Sequence, residues 1–254
     1  MRIVLLGSGN VATHLAKALI AKDEDVFQVY SKSLVNAQAL ANQIGAQSTD
    51  NLAEIDQLAD LYIISVKDDA IEEVASSLKS VKGLVVHTSG TVDIQVLTSH
   101  VQQAGVFYPL QTFSKVKDVS FDHLPLCIEA VNDDLLVKLK HLALKLSSQV
   151  YEIDGEKRKV LHVAAVFACN FANHLYAIAN EILAKNKLDF NIIRPLIAET
   201  ADKVMTNFPA QVQTGPAVRN DKTTMNKHLA MLTDKPELQN IYQLLSDSIK
   251  LMSK

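Results

Sequence analysis

The first residues of the chain form a glycine-rich pattern that could bind a diphosphate. An apolar run at residues 3–6 is followed at once by Gly-x-Gly-x-x-Ala at residues 7–12, and then by a helical pattern through Ile20. A strand, a glycine turn and a helix in this order place backbone N–H groups at a helix N-terminus, where the helix dipole favours negative charge. We therefore expect a dinucleotide to contact the residues of this turn: Gly7, Ser8, Gly9, Asn10 and Val11. The alternative is a strand-to-helix turn that merely requires glycine.

The end of the second predicted strand indicates which dinucleotide is bound. A fold that binds NAD usually carries an acidic residue about 20 residues beyond the glycines, where it binds the 2′-hydroxyl of the ribose. This chain has no acid there and instead has Ser31, Lys32 and Ser33, at the end of a strand predicted at residues 25–31. Two hydroxyls and an ammonium suit a 2′-phosphate, so the pattern predicts NADP as the cofactor. Ser33 could also cap the helix that begins at Leu34, and the two roles are compatible.

Two later strand ends carry further polar residues. Residues 60–66 and 83–86 are predicted strands, and the first is nearly continuous in apolar residues, as is typical of a parallel strand covered on both faces. Since the carboxyl ends of such strands line the cofactor crevice, we expect four more cofactor contacts there: Ser65, Val66, His87 and Ser89. His87 could also transfer a proton near neutral pH, or it could be a hydrogen-bonded structural histidine. Asp68 is expected to cap the helix that follows it.

A polar stripe follows one face of the long helix predicted at residues 158–185. At 100° per residue, a sector of roughly 80° contains Lys159, His162, Val166, Asn170 and Asn173. Unpaired buried polar groups cost about 1–3 kcal/mol each, so the stripe needs partners. A substrate, other helices or a dimer partner could supply them. We expect His162 to donate a proton to the substrate and Asn170 to orient the substrate.

A loop at residues 213–221 offers another candidate substrate ligand. Arg219 could clamp a carboxylate with its planar guanidinium group, or it could simply be solvated. The dipeptide Gly215-Pro216 stiffens the loop and favours a functional role. Asp221 is expected to cap the helix that begins at Lys222.

The order of the predicted elements indicates two domains. Strands and helices alternate as far as residue 154, which predicts an α/β Rossmann domain with a mostly parallel, doubly wound sheet at residues 1–154. Strands follow one another with little helix between them after residue 105, so the sheet is extended at its far edge, and residues 108–112 could wall the nicotinamide or the substrate. From residue 155 to residue 254 every pattern is helical, which predicts an all-α domain for the substrate and for dimerisation.

Composition narrows the class of protein and its partners. The 254 residues carry a net charge of −3 without a basic patch, so no nucleic-acid partner is expected. No apolar stretch is expected to reach the roughly 20 residues that span a bilayer, and the N-terminus enters a strand directly, so a cytoplasmic protein without a membrane partner is predicted. Cys127 and Cys169 are expected to be buried free thiols, and no metal site is expected.

Motifs in both halves of the chain together resemble a known family. The motifs are Gly7-Ser-Gly-Asn-Val-Ala12, His87-Thr-Ser-Gly90, Pro109-Leu-Gln-Thr-Phe113, Leu161-His-Val-Ala-Ala-Val-Phe-Ala-Cys-Asn170, Pro195-Leu-Ile197, Thr214-Gly-Pro-Ala-Val-Arg-Asn-Asp221 and His228-Leu229. They resemble bacterial Rossmann-like proteins that carry a helical C-terminal domain of unknown function and are described as NADP oxidoreductases similar to the deazaflavin-dependent kind. This chain has Tyr108 where the family usually has His, and Asn220 where the family usually has Gly.

The resemblance implies an architecture like that of 6-phosphogluconate dehydrogenase, which is often dimeric through the helical domain. Some relatives resemble an alternative class of ketopantoate reductase, and pyrroline-carboxylate reductase is a more distant relative. We therefore predict an NADP-dependent oxidoreductase that transfers a hydride between NADPH and a small keto acid or related carbonyl compound, with ketopantoate as one candidate. We also predict a homodimer that forms through the helical domain. The alternative hypothesis is an NADP-binding sensor or assembly protein without turnover. A third is that the glycine turn holds another nucleotide.

Overall fold

The computed structural model of the chain describes residues 1–114 and 116–252. Two compact units are present, Met1–His174 and Leu175–Lys254. The predicted domain boundary between residues 154 and 155 marks the end of the last strand and does not coincide with the boundary between these two units. It stays a prediction.

The first unit is built on one sheet, which contains eight strands in the described residues. They are β1 (Arg2–Leu6), β2 (Asp25–Tyr30), β3 (Gln47–Thr49), β4 (Leu61–Ile64), β5 (Leu84–His87), β6 (Ala104–Pro109), β7 (Leu126–Ala130) and β8 (Val150–Glu152). Their order is β3-β2-β1-β4-β5-β6-β7-β8, with β1 to β6 mutually parallel and β7 and β8 running the opposite way. The direction of strand order reverses between β1 and β4, which is where dinucleotide-binding sheets hold their ligand. The predicted fold class is confirmed.

Helices cover both faces of this sheet. They are α1 (Asn10–Ile20), α2 (Leu34–Ile44), α3 (Ile71–Ser76), α4 (Gln95–Thr98), α5 (Asp133–Leu146) and α6 (Gly155–Ala165). Successive side chains of a strand point to opposite faces, so Ile3 and Leu5 of β1 join the core under α1, α2 and α5, whereas Val4 and Leu6 join the core under α3 and α4. The central strands β1, β4 and β5 are therefore rich in apolar residues, because both of their faces are buried.

The long helix differs from its prediction in one turn. After α6, residues Val166–Phe171 form a π-helix, and α7 (Ala172–Lys185) follows. A π-helical turn bonds residue i to residue i+5 and so contains one more residue than an α-helical turn. The spacing of 100° per residue that placed Asn170 on the same face as His162 therefore does not hold across this segment.

The same helical stretch, Gly155–Lys185, meets the length and composition of a membrane-crossing helix. Its most apolar window has a mean hydropathy of 1.3, and none of that window is buried within the described residues. The expectation that no segment reaches this threshold was wrong, because small apolar residues run through the π-helix into α7. Core helices of soluble proteins meet the same criterion, so this observation is weak support for a membrane span.

The second unit is helical, as predicted. It contains α7 from Leu175 onward, followed by α8 (Arg194–Thr206), α9 (Pro209–Val212), α10 (Lys222–Met231) and α11 (Pro236–Met252). Asp221 caps α10 by accepting a hydrogen bond from the backbone N–H of Thr224 at 3.0 Å, as expected. His228 Nδ1 lies 2.8 Å from the Tyr242 hydroxyl and so connects α10 to α11.

Candidate cofactor and active site

A cleft of about 900 Å³ opens at the carboxyl ends of the parallel strands. Ten of the residues expected to bind the cofactor line it: Gly7, Ser8, Gly9, Asn10, Val11, Ser31, Lys32, Ser65, Val66 and Ser89. Tyr108 and His162 line it as well. One concave surface thus collects residues that are widely separated in the chain, as expected for a ligand site.

The glycine turn fits a diphosphate for two different reasons. Gly7 has a φ of +136°, and a Cβ there would lie 2.0 Å from the backbone oxygen of Ser65, so only glycine is accommodated. A Cβ at Gly9 would meet no described atom within 4 Å, which leaves the backbone open to a ligand. In the described residues α1 begins without a side-chain cap, and its first turn contains no acidic residue. Its first N–H groups are therefore suited to bind an anion.

The ribose end of the cleft contains the predicted hydroxyls and ammonium. Ser8 Oγ donates a hydrogen bond to Ser31 Oγ at 2.9 Å, which connects the glycine turn to the end of β2. Lys32 Nζ donates to Glu73 Oε2 of α3 at 2.8 Å, and this carboxylate raises the pKa of Lys32. Ser33 lies outside the cleft lining in the described residues and caps α2 through the backbone N–H of Asn36. Its predicted contact with the cofactor stays a prediction.

His87 is a buried structural group next to the cleft. Its side chain has no exposed surface, and the backbone N–H of Ser89 donates to its Nδ1 at 3.2 Å. Burial, together with the positive charge of Arg158, lowers the pKa of His87 to about 4. The imidazole is therefore neutral near pH 7, which favours the structural interpretation over proton transfer.

Asp68 does not cap a helix, contrary to expectation. A short 3₁₀ turn at Asp68–Ala70 precedes α3, and the position before that turn is Lys67. The carboxylate of Asp68 instead accepts a hydrogen bond from the hydroxyl of Thr91. This bond joins the segments that follow β4 and β5 at the edge of the cleft.

Tyr108 and His162 form a hydrogen-bonded pair in the cleft. The Tyr108 hydroxyl lies 2.9 Å from Nδ1 of His162, so the end of β6 meets the last turn of α6. Burial raises the pKa of Tyr108 to about 12, so its hydroxyl is protonated at neutral pH. Gly90 permits this contact, because a Cβ there would lie 2.6 Å from Nδ1 of His162 and 2.9 Å from Cζ of Tyr108.

Tyr108 was predicted to wall the nicotinamide or the substrate and Gly90 had no predicted role of its own, so the pairing of Tyr108 with His162 is new in the structure. Gly90 ends the His-Thr-Ser-Gly segment after β5, and a glycine at a strand end often marks the close approach of another group. The pair itself joins residues 54 positions apart and could not be found by local pattern.

A buried ion pair holds the first turn of α6. Arg158 is fully buried, pairs with the Glu129 carboxylate of β7 and donates to the backbone oxygen of Val92 at 2.6 Å. Asp154 caps the same turn by accepting from the backbone N–H of Lys157 at 2.8 Å. His162 follows Arg158 by about one helical turn. These contacts therefore fix the part of α6 that presents His162 to the cleft.

The polar stripe of the long helix is divided between different surroundings. Only His162 lines the cofactor cleft among the four polar members of the stripe. Lys159 pairs with Glu156 at 2.8 Å, whereas Asn170 and Asn173 line a second cavity of about 710 Å³. Asn170 follows His162 by eight residues, about 12 Å along the helix axis, so the two side chains reach different cavities.

The second cavity is bounded by the loop that follows β6. Gln111 lines both this cavity and the cofactor cleft, and Lys117 and Asp118 contribute charges to it. The loop is attached to α1, because Asn10 Nδ2 donates to the backbone oxygen of Phe113 at 3.0 Å. No pattern in the sequence indicated a second cavity beside this loop.

Arg219 and the two cysteines are the remaining residues for which the sequence analysis made a prediction. Arg219 lies in the second unit, in the loop before α10, and its role as a carboxylate ligand stays a prediction. Cys127 is buried beside Tyr108, and burial raises the pKa of its thiol to about 11. Cys169 is exposed, so the expectation that both thiols are buried was wrong. Its position in the π-helix leaves it on the surface of the second cavity.

Known proteins share this architecture. Residues 2–89 match the family described as NADP oxidoreductase, coenzyme F420-dependent, and residues 124–249 match a domain of unknown function, DUF2520. The structure of BF3122 from Bacteroides fragilis, a proposed NADP oxidoreductase, is 47% identical, with a TM-score of 0.94 over 98% of this chain and 97% of that chain. The chain belongs to this family of NADP oxidoreductases. These matches confirm the predicted family, the prediction that the chain is an oxidoreductase, and NADP as its cofactor.

More distant structures share the fold alone. TM1727 from Thermotoga maritima is 22% identical, with a TM-score of 0.79 over 98% of this chain and 99% of that chain. An imine reductase from Myxococcus stipitatus in complex with NADP+ is 15% identical, with a TM-score of 0.66 over 98% of this chain and 92% of that chain. No curated protein sequence matched the chain.

Proposed function

We propose that the chain is an NADPH-dependent reductase of a small keto acid or related carbonyl compound, with ketopantoate as the first substrate to test. The observation that carries this proposal is the composition of one cleft. A glycine turn suited to a diphosphate lies in the same cleft as the hydrogen-bonded pair of Tyr108 and His162. The same cleft therefore offers a site for a dinucleotide and a group that can donate a proton to a substrate bound beside that dinucleotide.

The chain's own residues account for how NADPH would be held. The open backbone of Gly9 and the N-terminus of α1 would bind the diphosphate, with Ser31 and Lys32 around the 2′-phosphate. When bound, the nicotinamide supplies a hydride to the substrate carbonyl. The imine reductase of related fold, which was solved with NADP+, is consistent with this use of the cleft.

The Tyr108–His162 pair would supply the proton that the reduction requires. A hydride added to a carbonyl carbon leaves a negative charge on the oxygen, and a neighbouring acid lowers the barrier by donating a proton. We assign this donation to His162, with the protonated hydroxyl of Tyr108 holding the imidazole at Nδ1. Asn170 is proposed to orient the substrate from the second cavity, and Arg219 to bind a carboxylate because of its planar fork.

We further propose a cytoplasmic homodimer that forms through the helical residues, without a nucleic-acid or membrane partner. Large apolar side chains are exposed along the helices of each unit, including Val160 and Phe167 in the first and Leu196, Met205 and Phe208 in the second. The exposed rings of Phe167 and Phe171 are in contact, with centroids 5.0 Å apart, and contiguous exposed apolar surface marks an interaction site in soluble proteins. Sedimentation velocity should show twice the mass of 27.9 kDa, and a monomer would refute this part.

The function is tested by titrating the protein with NADPH and with NADH by fluorescence, and then adding ketopantoate while following the absorbance of the reduced nicotinamide. NADPH binding at least about tenfold tighter than NADH binding, with oxidation on addition of ketopantoate, supports the proposal. Binding without oxidation of NADPH by ketopantoate or other small keto acids favours the NADP-binding sensor. Tight binding of ATP with no binding of either dinucleotide would refute the cofactor assignment.

A further inference from the structure

Lys32, the proposed ligand of the 2′-phosphate, already has an anionic partner. Its Nζ lies 2.8 Å from Oε2 of Glu73, and both residues line the cofactor cleft. The side chains are 64% and 57% exposed, so a ligand in the cleft can reach both of them. Glu73 belongs to α3, which is packed on the sheet through Ile71 and Val74. The carboxylate is therefore carried by a well-anchored element.

We propose that Glu73 competes with the cofactor's 2′-phosphate for Lys32 and thereby limits the preference of the chain for NADPH over NADH. This inference rests on the proposed function, because it assumes that the cleft binds these dinucleotides. It assigns a specificity-determining role to a residue that lies 41 positions from Lys32 and outside the glycine turn.

The geometry requires a conflict when a phosphate arrives. A phosphate oxygen that accepts a hydrogen bond from Lys32 would lie at about 2.8 Å from Nζ, as Glu73 does now. The two anions would then be separated by no more than about 6 Å, which is within one Debye length at physiological salt. The phosphate must therefore either displace the carboxylate from Lys32 or remain close to its negative charge.

Other charges in this part of the cleft do not relieve the conflict. The charged residues among the described lining are Lys32, Lys67, Asp68, Asp69 and Glu73. Acidic groups thus outnumber basic groups, and removing the Glu73 charge would leave two of each. A 2′-phosphate carries close to two negative charges at neutral pH, so it is sensitive to this balance.

The Glu73 carboxylate would interact differently with NADH, which has a 2′-hydroxyl in place of the 2′-phosphate. NAD-binding folds place an acidic residue after the second strand to accept a hydrogen bond from the ribose 2′-hydroxyl. This chain lacks that acid, but Glu73 brings a carboxylate to the side chain that follows β2. Glu73 can accept a hydrogen bond from the 2′-hydroxyl of NADH, whereas it repels the 2′-phosphate of NADPH. Its charge therefore acts in opposite directions on the two cofactors.

The test compares Glu73→Gln with the wild-type chain and with Glu72→Gln. Glu72 is adjacent to Glu73 in α3, its side chain is 74% exposed, and it lies outside the cleft lining in the described residues. It therefore controls for a general loss of negative charge on this helix. Dissociation constants for NADPH and NADH are measured by fluorescence on the full-length protein at low and high salt, and circular dichroism verifies that each variant is folded.

We expect Glu73→Gln to bind NADPH about tenfold more tightly, equivalent to about 1.4 kcal/mol, and NADH no more tightly than the wild type. The gain should shrink at high salt, because both side chains are exposed to screening, and Glu72→Gln should change neither constant by more than about twofold. Unchanged NADPH binding in folded Glu73→Gln, or an equal gain in Glu72→Gln, would overturn the inference alone. A wild-type chain that binds neither cofactor would overturn the proposed function, and this inference with it.

Discussion

Replacing Gly90 with alanine tests whether the contact between Tyr108 and His162 matters for turnover. The added Cβ would lie 2.6 Å from Nδ1 and 2.9 Å from Cγ of His162, and 2.9 Å from Cζ of Tyr108. Gly90 has an ordinary φ, so alanine is excluded by these rings and not by the backbone. The imidazole must therefore retreat by about 0.8 Å to reach the 3.4 Å at which ordinary contacts begin.

The size of the effect follows from this displacement. A misplacement of about 1 Å in a reacting group can lower the rate about 10²-fold, and general-acid catalysis contributes roughly 10²–10⁴-fold. We expect Gly90→Ala to lower kcat by about 10²-fold for whichever carbonyl compound the wild type reduces. Overpacking should also lower the free energy of unfolding by about 1–3 kcal/mol. The dissociation constant of NADPH should change less than about threefold, because the new methyl group meets His162 and Tyr108 rather than the glycine turn.

Gly9→Ala is the matched control, because it adds the same methyl group where no described atom lies within 4 Å. It should preserve the thermal stability and weaken NADPH binding, which is the reverse of the pattern expected for Gly90→Ala. The assays are steady-state kinetics, fluorescence titration with NADPH and thermal unfolding of both variants. A Gly90→Ala protein whose kcat stays within about threefold of the wild type would refute the catalytic role of this contact.

Three further perturbations follow from contacts in the first unit. Tyr108→Phe removes only the hydroxyl that holds His162. It should therefore lower kcat at least about tenfold in steady-state kinetics and leave the NADPH affinity nearly unchanged in fluorescence titration. Arg158→Met should lower the free energy of unfolding in urea by about 3 kcal/mol, and adding Glu129→Gln should recover part of this loss, because the single change leaves a carboxylate without its buried partner. Burial alone would raise the pKa of Glu24, but hydrogen bonds from Lys145 and from the N-terminal ammonium lower it below its ordinary value of 4.5. Its stabilising effect is therefore present above that value and is lost as the pH falls through the lower folded-state pKa, so melting temperatures of the wild type and Glu24→Gln should converge in acid.

Local patterns predicted those features that depend on neighbouring residues. The turn between the first strand and the first helix requires glycine at position 7, because any side chain there would collide with the backbone of Ser65. A local pattern is therefore enough to predict this strand, turn and helix. The cap of α2 at Ser33 and the cap of α10 at Asp221 likewise depend on groups three positions away. Contacts between distant segments, such as that between Lys32 and Glu73, leave no comparable periodic signal, so the sequence did not reveal them.

The polar stripe shows why a shared helix face does not guarantee a shared site. Asn170 follows His162 by eight residues, which is about 12 Å along the axis at 1.5 Å per residue. The π-helical segment that contains Asn170 also changes the angular spacing that placed both residues in one sector. In the structure His162 lies beside Tyr108, whereas Asn170 lines the cavity that meets the cleft at Gln111. Proton donation and substrate orientation are then assigned to different cavities, so a substrate that uses both residues must extend past Gln111.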